Sequence, residues 1–477
     1  MDYKNLNLKI GLECHQQLSG EKLFCSCNTN LKEENEEIQI KRKIRAVAGE
    51  AGEKDTAALY EEARDRTFVY HGYKDEYCLV ECDDEPIHKI NQEALKTALG
   101  VAKLLKLKIP KKVKVMRKII SDGSCVSGFQ RLFICGTESK NSYIKTSQGK
   151  VKVNLLSLEE DACKIIKTEE NKVHYSLSRV GIPLLELATN SNIKTPKQAR
   201  ETAETIGMIF RSFPLTRRGL GTIRQDINLS IKNGSRVELK GFQNIRQMPK
   251  VIEKEIERQL ALVKQGKKVP EEVRKVEPDN TTTFLRPLPG KARYYPETDH
   301  LETTIPKQLL KQIKLPELII EKSLSLEKSY NISSELAKGI IENKIDLKKL
   351  TKTYPRISPN LIAHILIESP KEIKSRFNID KKLKESDLKF IFEALNQNKI
   401  TKEAVIEIAL DLLKNKKVSL EDYKQIPEKE IEKEIENIVA KNPGASINAL
   451  MGILMGKFKG KIEGKKLVEI IKKFISF

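Results

Sequence analysis

The sequence contains no tryptophan and no apolar run that approaches the ~20 residues of a membrane-spanning helix. Residues 1–12 mix charged and apolar side chains, so they lack the apolar core of a secretory signal. We therefore expect a cytosolic protein without a membrane segment. Its eight cysteines are then expected to stay reduced, because that compartment keeps thiols reduced.

The familiar nucleotide-binding loops are also missing. No G-x-x-x-x-G-K-[S/T] loop is present, and Gly219 and Gly221 lack the third glycine of a dinucleotide-binding turn. ATP, if the chain uses it, must therefore be held by something other than a phosphate-binding loop of either kind.

Acidic residues are outnumbered by basic ones, 66 Asp and Glu against 87 Lys and Arg, which gives a net charge of +21. An excess of this size is typical of proteins with a polyanionic partner such as nucleic acid. A solvated basic surface without such a partner is the alternative, since lysine is abundant throughout the chain.

The distribution of apolar residues predicts an α+β protein whose secondary structure changes near residue 300. Before that point, period-two alternation predicts a mainly antiparallel sheet with one apolar and one charged face. Helices are expected there over residues 92–105, 195–210 and 250–265. After that point nearly every segment has helical periodicity.

The charged face of the first predicted strand is a candidate catalytic surface. Its apolar residues alternate at Leu6, Leu8, Ile10 and Leu12. Glu13 and His15 therefore project together from the opposite face, where they could bind a divalent cation or act as acid and base. Ordinary polar surface is the alternative for such a pair.

Two further segments carry carboxylates in unusual positions. The run Glu159, Glu160 and Asp161 follows a predicted strand and could supply oxygen ligands to magnesium, although a solvated acidic turn has the same pattern. Glu186 lies in the apolar stretch IPLLELA, where a carboxylate is costly to bury unless it is paired or binds a cation.

Two loops could contact a ligand. Residues 287–299, PLPGKARYYPETD, place Arg293 and Glu297 around two tyrosines between prolines, a pattern that fits a functional loop or a structural corner. Residues 121–131, SDGSCVSGFQR, could turn backbone N–H groups towards a phosphate or a carboxylate.

Four cysteines form two pairs at short spacing. Cys25 and Cys27 form a C-x-C, and Cys78 and Cys82 form a C-x3-C. Four thiolates from two loops could hold structural zinc, although the spacing differs from the usual C-x2-C pairs.

Taken together, these segments resemble the family of B-type and E-type subunits of the amidotransferases that convert Glu-tRNA(Gln) to Gln-tRNA(Gln). The resembling stretches occur in family order between residues 11 and 299: GLECHQQLSGEKLFCSC, CLVECDDEP, SGFQR, LEEDACK, RVGIPLLELAT, GLGTIRQDINLSI, VELKGFQNI and RPLPGKARYYPETD. The forms HQQL, SGFQR and PLPGKARYYPETD favour the E type, which is the archaeal one.

The resemblance implies a domain order and a reaction. A mainly antiparallel cradle domain (residues 1–300) would be followed by an all-α helical domain (301–400) and a small α-helical tail domain that binds tRNA (401–477). ATP and magnesium (Mg²⁺) would phosphorylate the glutamate side chain on the tRNA. Ammonia from an asparaginase-like amidase partner, in a heterotetramer of two copies of each chain, would then displace the phosphate.

The resemblance also implies roles for individual residues. It makes His15, Glu160 and Glu186 the magnesium ligands, with Glu13 and Glu159 as catalytic groups beside them. Lys240 and Arg293 would bind the nucleotide. The remaining expected members of the cradle are Asp226, Glu238 and Glu297. A non-catalytic tRNA-binding or assembly protein of the same complex is the alternative function.

The chain departs from the family pattern in two places. The E type usually carries an extra domain, similar to one in bacterial aspartyl-tRNA synthetases, before its RPLPG motif, and no room for it exists after residue 265. Cys82 stands where no family cysteine is expected, which weakens the zinc interpretation. Because no amidase constellation of Thr or Ser with Lys is evident, we expect a separate protein to supply ammonia.

Overall fold

The computed structural model describes residues 1–49, 52–290, 293–423, 428–442, 447–458 and 464–475. The chain divides into two compact units, Met1–Leu318 and Ile319–Phe477. The sequence placed the change near residue 300. The strand at Thr303–Thr304 and the apolar side chains of Leu309, Ile313 and Leu318 extend the first unit beyond that point, because they pack onto its core.

The first unit combines strands with five helices in the part of the chain that is described. The strands are β1 Lys9–Gln17, β2 Glu36–Arg42, β3 Thr67–Tyr73, β4 Lys112–Val113, β5 Met116–Ile119, β6 Phe129–Thr137, β7 Tyr143–Thr146, β8 Gly149–Glu160, β9 Lys164–Thr168, β10 Lys172–Ser176, β11 Pro183–Thr189, β12 Ile223–Ser230, β13 Val237–Lys240, β14 Glu272–Val276, β15 Thr282–Pro287, β16 Tyr294–Pro296 and β17 Thr303–Thr304. The helices are α1 Thr56–Ala63, α2 Gln92–Leu104, α3 Pro196–Arg211, α4 Met248–Lys264 and α5 Lys307–Gln312.

A large sheet dominates this unit. Its strand order is β15-β14-β13-β12-β1-β11-β8-β6-β5-β16, and β7 pairs with β8. Every pair along this order is antiparallel except β13 with β14. A smaller sheet has the order β2-β3-β10-β9. The predicted α+β class with a mainly antiparallel sheet is therefore confirmed.

One face of the large sheet is buried under helices. Ile10 and Leu12 of β1 are at most 1% exposed and share a core with Leu95 of α2, Ile206 of α3 and Ile252 of α4. Burying an aliphatic side chain of this size contributes about 1.5–3 kcal/mol, so the apolar phase of each strand decides which face turns inward. The opposite face of the sheet is left to polar side chains.

Local sequence patterns predicted where helices and strands begin, with small shifts in position. Helix α3 begins after Thr195, whose Oγ1 accepts a hydrogen bond from the backbone N of Gln198 at 3.1 Å, as the Thr–Pro pair indicates. Leu6, predicted to begin the first strand, lies instead in a turn before β1.

The second unit is helical wherever it is described. Its helices are α6 Ile319–Tyr330, α7 Ser334–Glu342, α8 Leu347–Thr353, α9 Pro359–Ile367, α10 Ser369–Phe377, α11 Glu385–Asn396, α12 Ala404–Leu413, α13 Glu428–Lys441, α14 Ile447–Phe458 and α15 Gly464–Ile475. Helices α7, α9, α11 and α12 share one apolar cluster, and α13 to α15 share another. The clusters thus separate between Tyr423 and Ile431, later than the predicted boundary at residue 400, because α12 packs with the preceding helices.

No helix among the described residues is long and apolar enough to cross a membrane.

Candidate active site

The polar face of the large sheet gathers side chains from six strands. The antiparallel register places His15 of β1 opposite Glu186 of β11 and Arg224 of β12. It places Glu13 opposite Asp226 of β12. Because neighbouring side chains on one face of a sheet stand about 4.5–5.5 Å apart, this register alone brings the predicted residues into contact.

A first cluster forms around Glu186. Nε2 of His15 lies 3.4 Å from Oε2 of Glu186, and Nζ of Lys118 lies 3.3 Å from Glu159 and 3.8 Å from Glu186. Glu159 is only 3% exposed, whereas His15 and Glu186 are each 14% exposed at the side chain. The cluster is thus buried enough to strengthen electrostatic interactions but open enough to receive a ligand.

The environment of this first cluster separates the pKa values of its two carboxyl groups. Burial and then the charge of Glu186 raise the pKa of Glu159 to about 7. Burial opposes ionisation of Glu186 as well, but the charge of Lys118 and the contact with His15 outweigh it and lower the pKa of Glu186. Burial lowers the pKa of His15, and Glu186 outweighs that effect and raises it. Glu186 is thus the anionic centre of the cluster.

A second cluster lies beside the first on β1, β12 and β13. Glu13, Asp226 and Glu238 each turn a carboxylate oxygen to within 4.8 Å of the others. Nζ of Lys240 lies 2.8 Å from Asp226 and 2.7 Å from Glu238. Burial, then the charges of Glu186 and Glu238, raise the pKa of Glu13 to about 7. Because the charge of Glu186 acts on Glu13 in addition to burial, the two clusters interact electrostatically.

Arg293 lies at the border of the two clusters. Its backbone oxygen accepts a hydrogen bond from the backbone N of Ile119 at 2.8 Å, which ties Arg293 to the end of β5. Burial lowers the pKa of Arg293, but the charges of Tyr294 and Glu238 outweigh this and raise it. The positive charge of Arg293 also interacts electrostatically with Lys118 of the first cluster. Lys240 and Arg293 therefore supply positive charge next to the carboxylates.

The structure does not place Glu160 with His15 and Glu186. The Glu160 carboxylate accepts a hydrogen bond from the backbone N of Arg131 at 3.0 Å and lies 3.5 Å from Nη1 of that arginine. Successive residues of a strand point to opposite faces, so Glu159 and Glu160 cannot both face the first cluster. The structure therefore brings Glu159, and not the predicted magnesium ligand Glu160, together with His15 and Glu186.

Glu297 also lies outside both clusters. It is fully buried and forms ion pairs with Arg117 and with Arg131, whose Nε lies 2.7 Å from Oε2 of Glu297. Burial opposes its ionisation, but hydrogen bonds, first of all from Arg117, lower the pKa of Glu297 to about 2. This arrangement joins β16 to β5 and β6 and serves the fold.

Lys118 is a member of the site that the sequence analysis missed. It lies in the segment VKVMRKII, where Lys114 and Arg117 are equally basic, so no single position stands out. Only the pairing of β5 with β6 and β16 decides which of these cations reaches the acidic cluster.

The donor set around Glu186 fits a divalent cation. Oε2 of Glu186 is buried and makes no hydrogen bond of good geometry, the nearest nitrogens being those of His15 and Lys118. Two carboxylates and an imidazole are suitable ligands for a hard or borderline divalent ion. An unsatisfied buried carboxylate oxygen is costly, and a bound cation would satisfy it.

The fold and this site define a class of protein. Carboxylates, a histidine and cations are buried together on a polar sheet face. Burial raises the pKa values of Glu13 and Glu159 to about 7, a combination that is typical of catalytic centres. A passive binding surface has no need of such groups. The chain is therefore an enzyme or the catalytic chain of a larger one.

Comparison with known proteins identifies the family. A model of the GatB/GatE catalytic domain matches residues 8–311. The E-type subunit of glutamyl-tRNA(Gln) amidotransferase from Methanococcus vannielii is 32% identical, with 88% of each chain covered. The corresponding E-type chain of Methanocaldococcus jannaschii is 34% identical over 91% of this chain and 89% of its own length. The chain belongs to the GatB/GatE family of amidotransferase subunits, which confirms the resemblance.

The alignments with these relatives are longer than the chain itself. They span 560 and 573 aligned positions, whereas the chain has 477 residues. The relatives therefore carry segments without a counterpart here. This agrees with the short connection in this chain, where β14 and β15 follow α4 directly.

Proposed function

We propose that the chain catalyses the ATP-dependent amidation of Glu-tRNA(Gln) to Gln-tRNA(Gln). The observation that carries the proposal is the buried Glu186 carboxylate, which has an unsatisfied oxygen and lies next to His15 and Glu159. The names of the relatives supply the substrate, Glu-tRNA(Gln), and the reaction type.

In this proposal the reaction has two steps. An oxygen of the glutamate side-chain carboxylate attacks the γ-phosphorus of ATP, so an acyl phosphate forms and ADP leaves. Ammonia then attacks the acyl carbon, inorganic phosphate leaves, and the surplus proton passes to a base. The phosphate provides the leaving group that a carboxylate lacks.

His15, Glu159 and Glu186 would hold the magnesium ion. When bound, the ion would neutralise the ATP phosphates and stabilise the charge that develops on the transferred phosphoryl group. Lys118 balances the charge of the two carboxylates, and His15 is oriented by its contact with Glu186. These side chains therefore come preorganised on strands, which fixes their geometry better than loops would.

Glu13, Lys240 and Arg293 complete the proposed mechanism. Lys240 is fixed between Asp226 and Glu238, and together with Arg293 it offers positive charge to the phosphates of ATP. Burial raises the pKa of Glu13 to about 7, so Glu13 can accept the proton that ammonia releases on attack.

The proposal includes two partners. The positive charge of the chain favours tRNA binding, for which the helical residues beyond 423 are the proposed contact region. Ammonia would come from an asparaginase-like amidase of the D type, in a complex of two copies of each chain. Glutamine hydrolysis by the isolated chain would contradict the proposal that a separate amidase supplies the ammonia.

The proposal is tested by amide formation on Glu-tRNA(Gln) with ATP, magnesium and concentrated ammonium salt. Wild-type chain should form Gln-tRNA(Gln), and Glu186→Gln should not. Glu169→Gln removes an exposed carboxylate of the small sheet and should leave the activity unchanged. Equal activity of Glu186→Gln and the wild type would contradict the proposal.

A non-catalytic tRNA-binding protein is the second candidate. It predicts tight tRNA binding but no amide formation, with or without the amidase partner. The buried, unsatisfied carboxylate of Glu186 favours the enzyme, since binding of tRNA gains nothing from it. The same assay, repeated with the partner added, separates the two candidates.

A further inference from the structure

A third group of charged side chains lies at the end of β1, beside the first cluster. Asp161 is 1% exposed, and its Oδ1 lies 2.7 Å from Nη2 of Arg224, while Nε of Arg179 lies 3.9 Å from its Oδ2. Burial lowers the pKa of half-buried Arg217, and the charge of Asp161 opposes that shift. In the part of the chain that the structure describes, no other carboxylate pairs with these arginines. Three guanidinium groups therefore share one negative charge.

The pairing of the strands places Arg224 next to the proposed magnesium ligands. Arg224 of β12 stands opposite His15 of β1, and His15 stands opposite Glu186 of β11. Directly opposed side chains project from the same face, with their Cβ atoms about 4.5–5.5 Å apart. Burial raises the pKa of Asp226, but nearby positive charges, first that of Lys240 and among them that of Arg224, outweigh burial and lower it. Arg224 thus borders both clusters of the candidate active site.

The guanidinium group of Arg224 is anchored but not enclosed. The side chain is 37% exposed, and Nη2 is the atom that donates to Asp161. A guanidinium has five N–H donors in a planar fork, and the other donors of Arg224 make no hydrogen bond among the described residues. Arg131, by contrast, is 8% exposed, and its guanidinium pairs with both Glu160 and Glu297. Arg224 therefore keeps donors with a fixed direction available for an anionic ligand.

Buried hydrogen bonds fix the carboxylate of Asp161. Nε2 of Gln17 donates to its Oδ2 at 2.5 Å, and the backbone N of Ala162 donates to its Oδ1 at 2.8 Å. Burial raises the pKa of Asp161, but the charges of Arg224 and Arg179 outweigh burial and lower it. The carboxylate therefore stays ionised and orients Arg224, as supporting residues of a binding site do. The last acid of the run that the sequence marked as a possible magnesium site thus pairs with an arginine instead.

Gly219 and Gly221 lie in the loop between α3 and β12, which closes this end of the polar face. The backbone N of Arg217 donates to the oxygen of Gln17 at 3.0 Å, and the backbone N of Gln17 donates to the oxygen of Thr222 at 2.9 Å. Both glycines have positive φ values, 115° and 77°, which other residues rarely adopt. The glycine pair that forms no dinucleotide-binding turn therefore shapes the positively charged end of the face.

On the basis of the proposed function, we propose that Arg224 binds the γ-phosphate of ATP while that group is transferred, and that Asp161 positions Arg224. The planar fork of an arginine matches two oxygens of a phosphate. Arg224 stands beside His15 with free donors, and the surplus of positive charge around Asp161 is one that a phosphate would balance. Lys240 and Arg293 then remain for the other phosphates of the nucleotide.

Arg224 would act through hydrogen bonds alone. An oxygen of the glutamate carboxylate forms the new bond to the γ-phosphorus, and the bond from that phosphorus to the leaving oxygen of ADP breaks. Negative charge develops on the oxygens of the phosphoryl group during this exchange, and a guanidinium that is already oriented stabilises it. Arg224 is therefore expected to bind a nucleotide with a γ-phosphate and to contribute nothing to the binding of ADP.

Binding of two nucleotides tests this role without an amidation assay. The probes are ADP and a non-hydrolysable ATP analogue with a γ-phosphate, each titrated calorimetrically in the presence of magnesium. Arg224→Gln should bind the analogue at least ~10-fold more weakly and ADP with unchanged affinity. Arg200→Gln, the matched control, removes an exposed arginine that pairs with Glu204 and should bind both nucleotides as the wild type does. Unchanged affinity of Arg224→Gln for the analogue, or an equal loss for both nucleotides, would overturn the proposal.

Conservative variants and added guanidinium distinguish phosphate binding from a structural role. Arg224→Lys keeps the charge but not the fork, so it should recover only part of the affinity for the analogue. Guanidinium ion at a non-denaturing concentration should raise amide formation by Arg224→Ala at least ~10-fold. It should not raise that of Asp161→Asn, which keeps its arginine. Equal effects of guanidinium on the two variants, or full affinity for the analogue in Arg224→Lys, would overturn the proposal.

The wild-type chain separates a failure of this role from a failure of the proposed function. Wild-type chain that forms Gln-tRNA(Gln), with a variant Arg224→Gln that loses both nucleotides equally, would overturn the role of Arg224 alone. Wild-type chain that binds neither nucleotide would contradict the proposed function and, with it, the role of Arg224.

Discussion

Glu159 and Glu160 are consecutive in the chain, yet their carboxylates belong to different clusters. Glu159 lies 3.3 Å from Nζ of Lys118 beside Glu186, whereas Glu160 accepts the backbone N–H of Arg131 at 3.0 Å. A shift in the register of β8 decides which of the two reaches the polar face. Its pairing with β11 passes from Val153 directly to Leu155, so Asn154 is an extra residue.

The difference between these two glutamates gives the first prediction. Glu159→Gln should reduce amide formation at least ~100-fold, because it removes a proposed metal ligand. Glu160→Gln should leave most of the activity at 25 °C but lower the stability, since it loosens the contact with Arg131. Parallel amidation assays and thermal unfolding would measure both effects. The reverse ranking in the activity assay would restore Glu160 as the ligand.

Lys118 provides a second prediction, on metal affinity. Its ammonium group lies near both Glu159 and Glu186, where it competes with any cation that binds there. Lys118→Met should therefore bind Mn²⁺, a spectroscopic substitute for Mg²⁺, roughly tenfold more tightly while amide formation falls. Electron paramagnetic resonance titration would measure the affinity, with exposed Lys112→Met as the control. Weaker Mn²⁺ binding in Lys118→Met would show that the lysine instead helps to shape the site.

Glu297 gives a prediction on pH and stability. Its pKa is lowered to about 2 in the folded chain, from an ordinary value of 4.5. A group with a depressed folded pKa contributes stability above its unfolded pKa and loses that contribution as pH falls towards its folded pKa. Glu297→Gln should thus reduce the free energy of unfolding by about 3 kcal/mol at pH 7, and the deficit should shrink below about pH 4.5.

Urea unfolding of the wild type and of Glu297→Gln at several pH values would check this dependence. Glu302→Gln is the matched control, because it removes an exposed carboxylate that pairs with Lys112 at 3.0 Å. That substitution should cost less than about 1 kcal/mol at every pH. A deficit for Glu297→Gln that stays constant down to about pH 3 would mean that packing, and not the ion pairs, supplies the effect.

The sequence predicted the position of a residue best where a strand alternates without interruption. The phase of Ile10 and Leu12 correctly placed His15 with Glu13, and the apolar neighbours of Glu186 correctly marked it as unusual. If the alternation of Val151 and Val153 continued without a break, Glu160 and not Glu159 would lie on the polar face. The extra residue at Asn154 inverts that phase, and no local pattern announces it.

Other site residues could not be predicted because they depend on contacts between segments that are distant in sequence. Lys118 became recognisable only through the pairing of β5 with β6 and β16, of which β16 is distant in sequence. Cysteine spacing likewise identified both loops of a cluster that contains Cys25, Cys27 and Cys78. It pointed to Cys82 as the fourth member, but Cys82 packs in the apolar core of the small sheet and Glu81 takes that place. In both cases the chemistry of the residue types was readable, whereas the direction of the side chain depended on the fold around it.

The end of the chain gives the last prediction, on tRNA binding. Helices α13 to α15 bury Ile435, Leu454 and Ile471 in a cluster that includes no residue from the other helices described. A truncation after Tyr423 therefore removes a complete apolar core, whereas one after residue 440 would leave the apolar face of α13 exposed. The truncated chain should bind tRNA at least ~10-fold more weakly and with a shallower salt dependence, because fewer phosphate contacts release counterions.

Filter binding over a series of salt concentrations would measure both the affinity and the salt slope of the chain truncated after Tyr423. Amide formation at saturating tRNA should persist in this variant, since the catalytic groups lie within the first unit. Persistent activity would also show that the truncated chain is folded, so that a weaker affinity reports lost contacts. Unchanged affinity with an unchanged salt slope would place the tRNA contacts in residues 1–423 and would contradict a tRNA-binding tail.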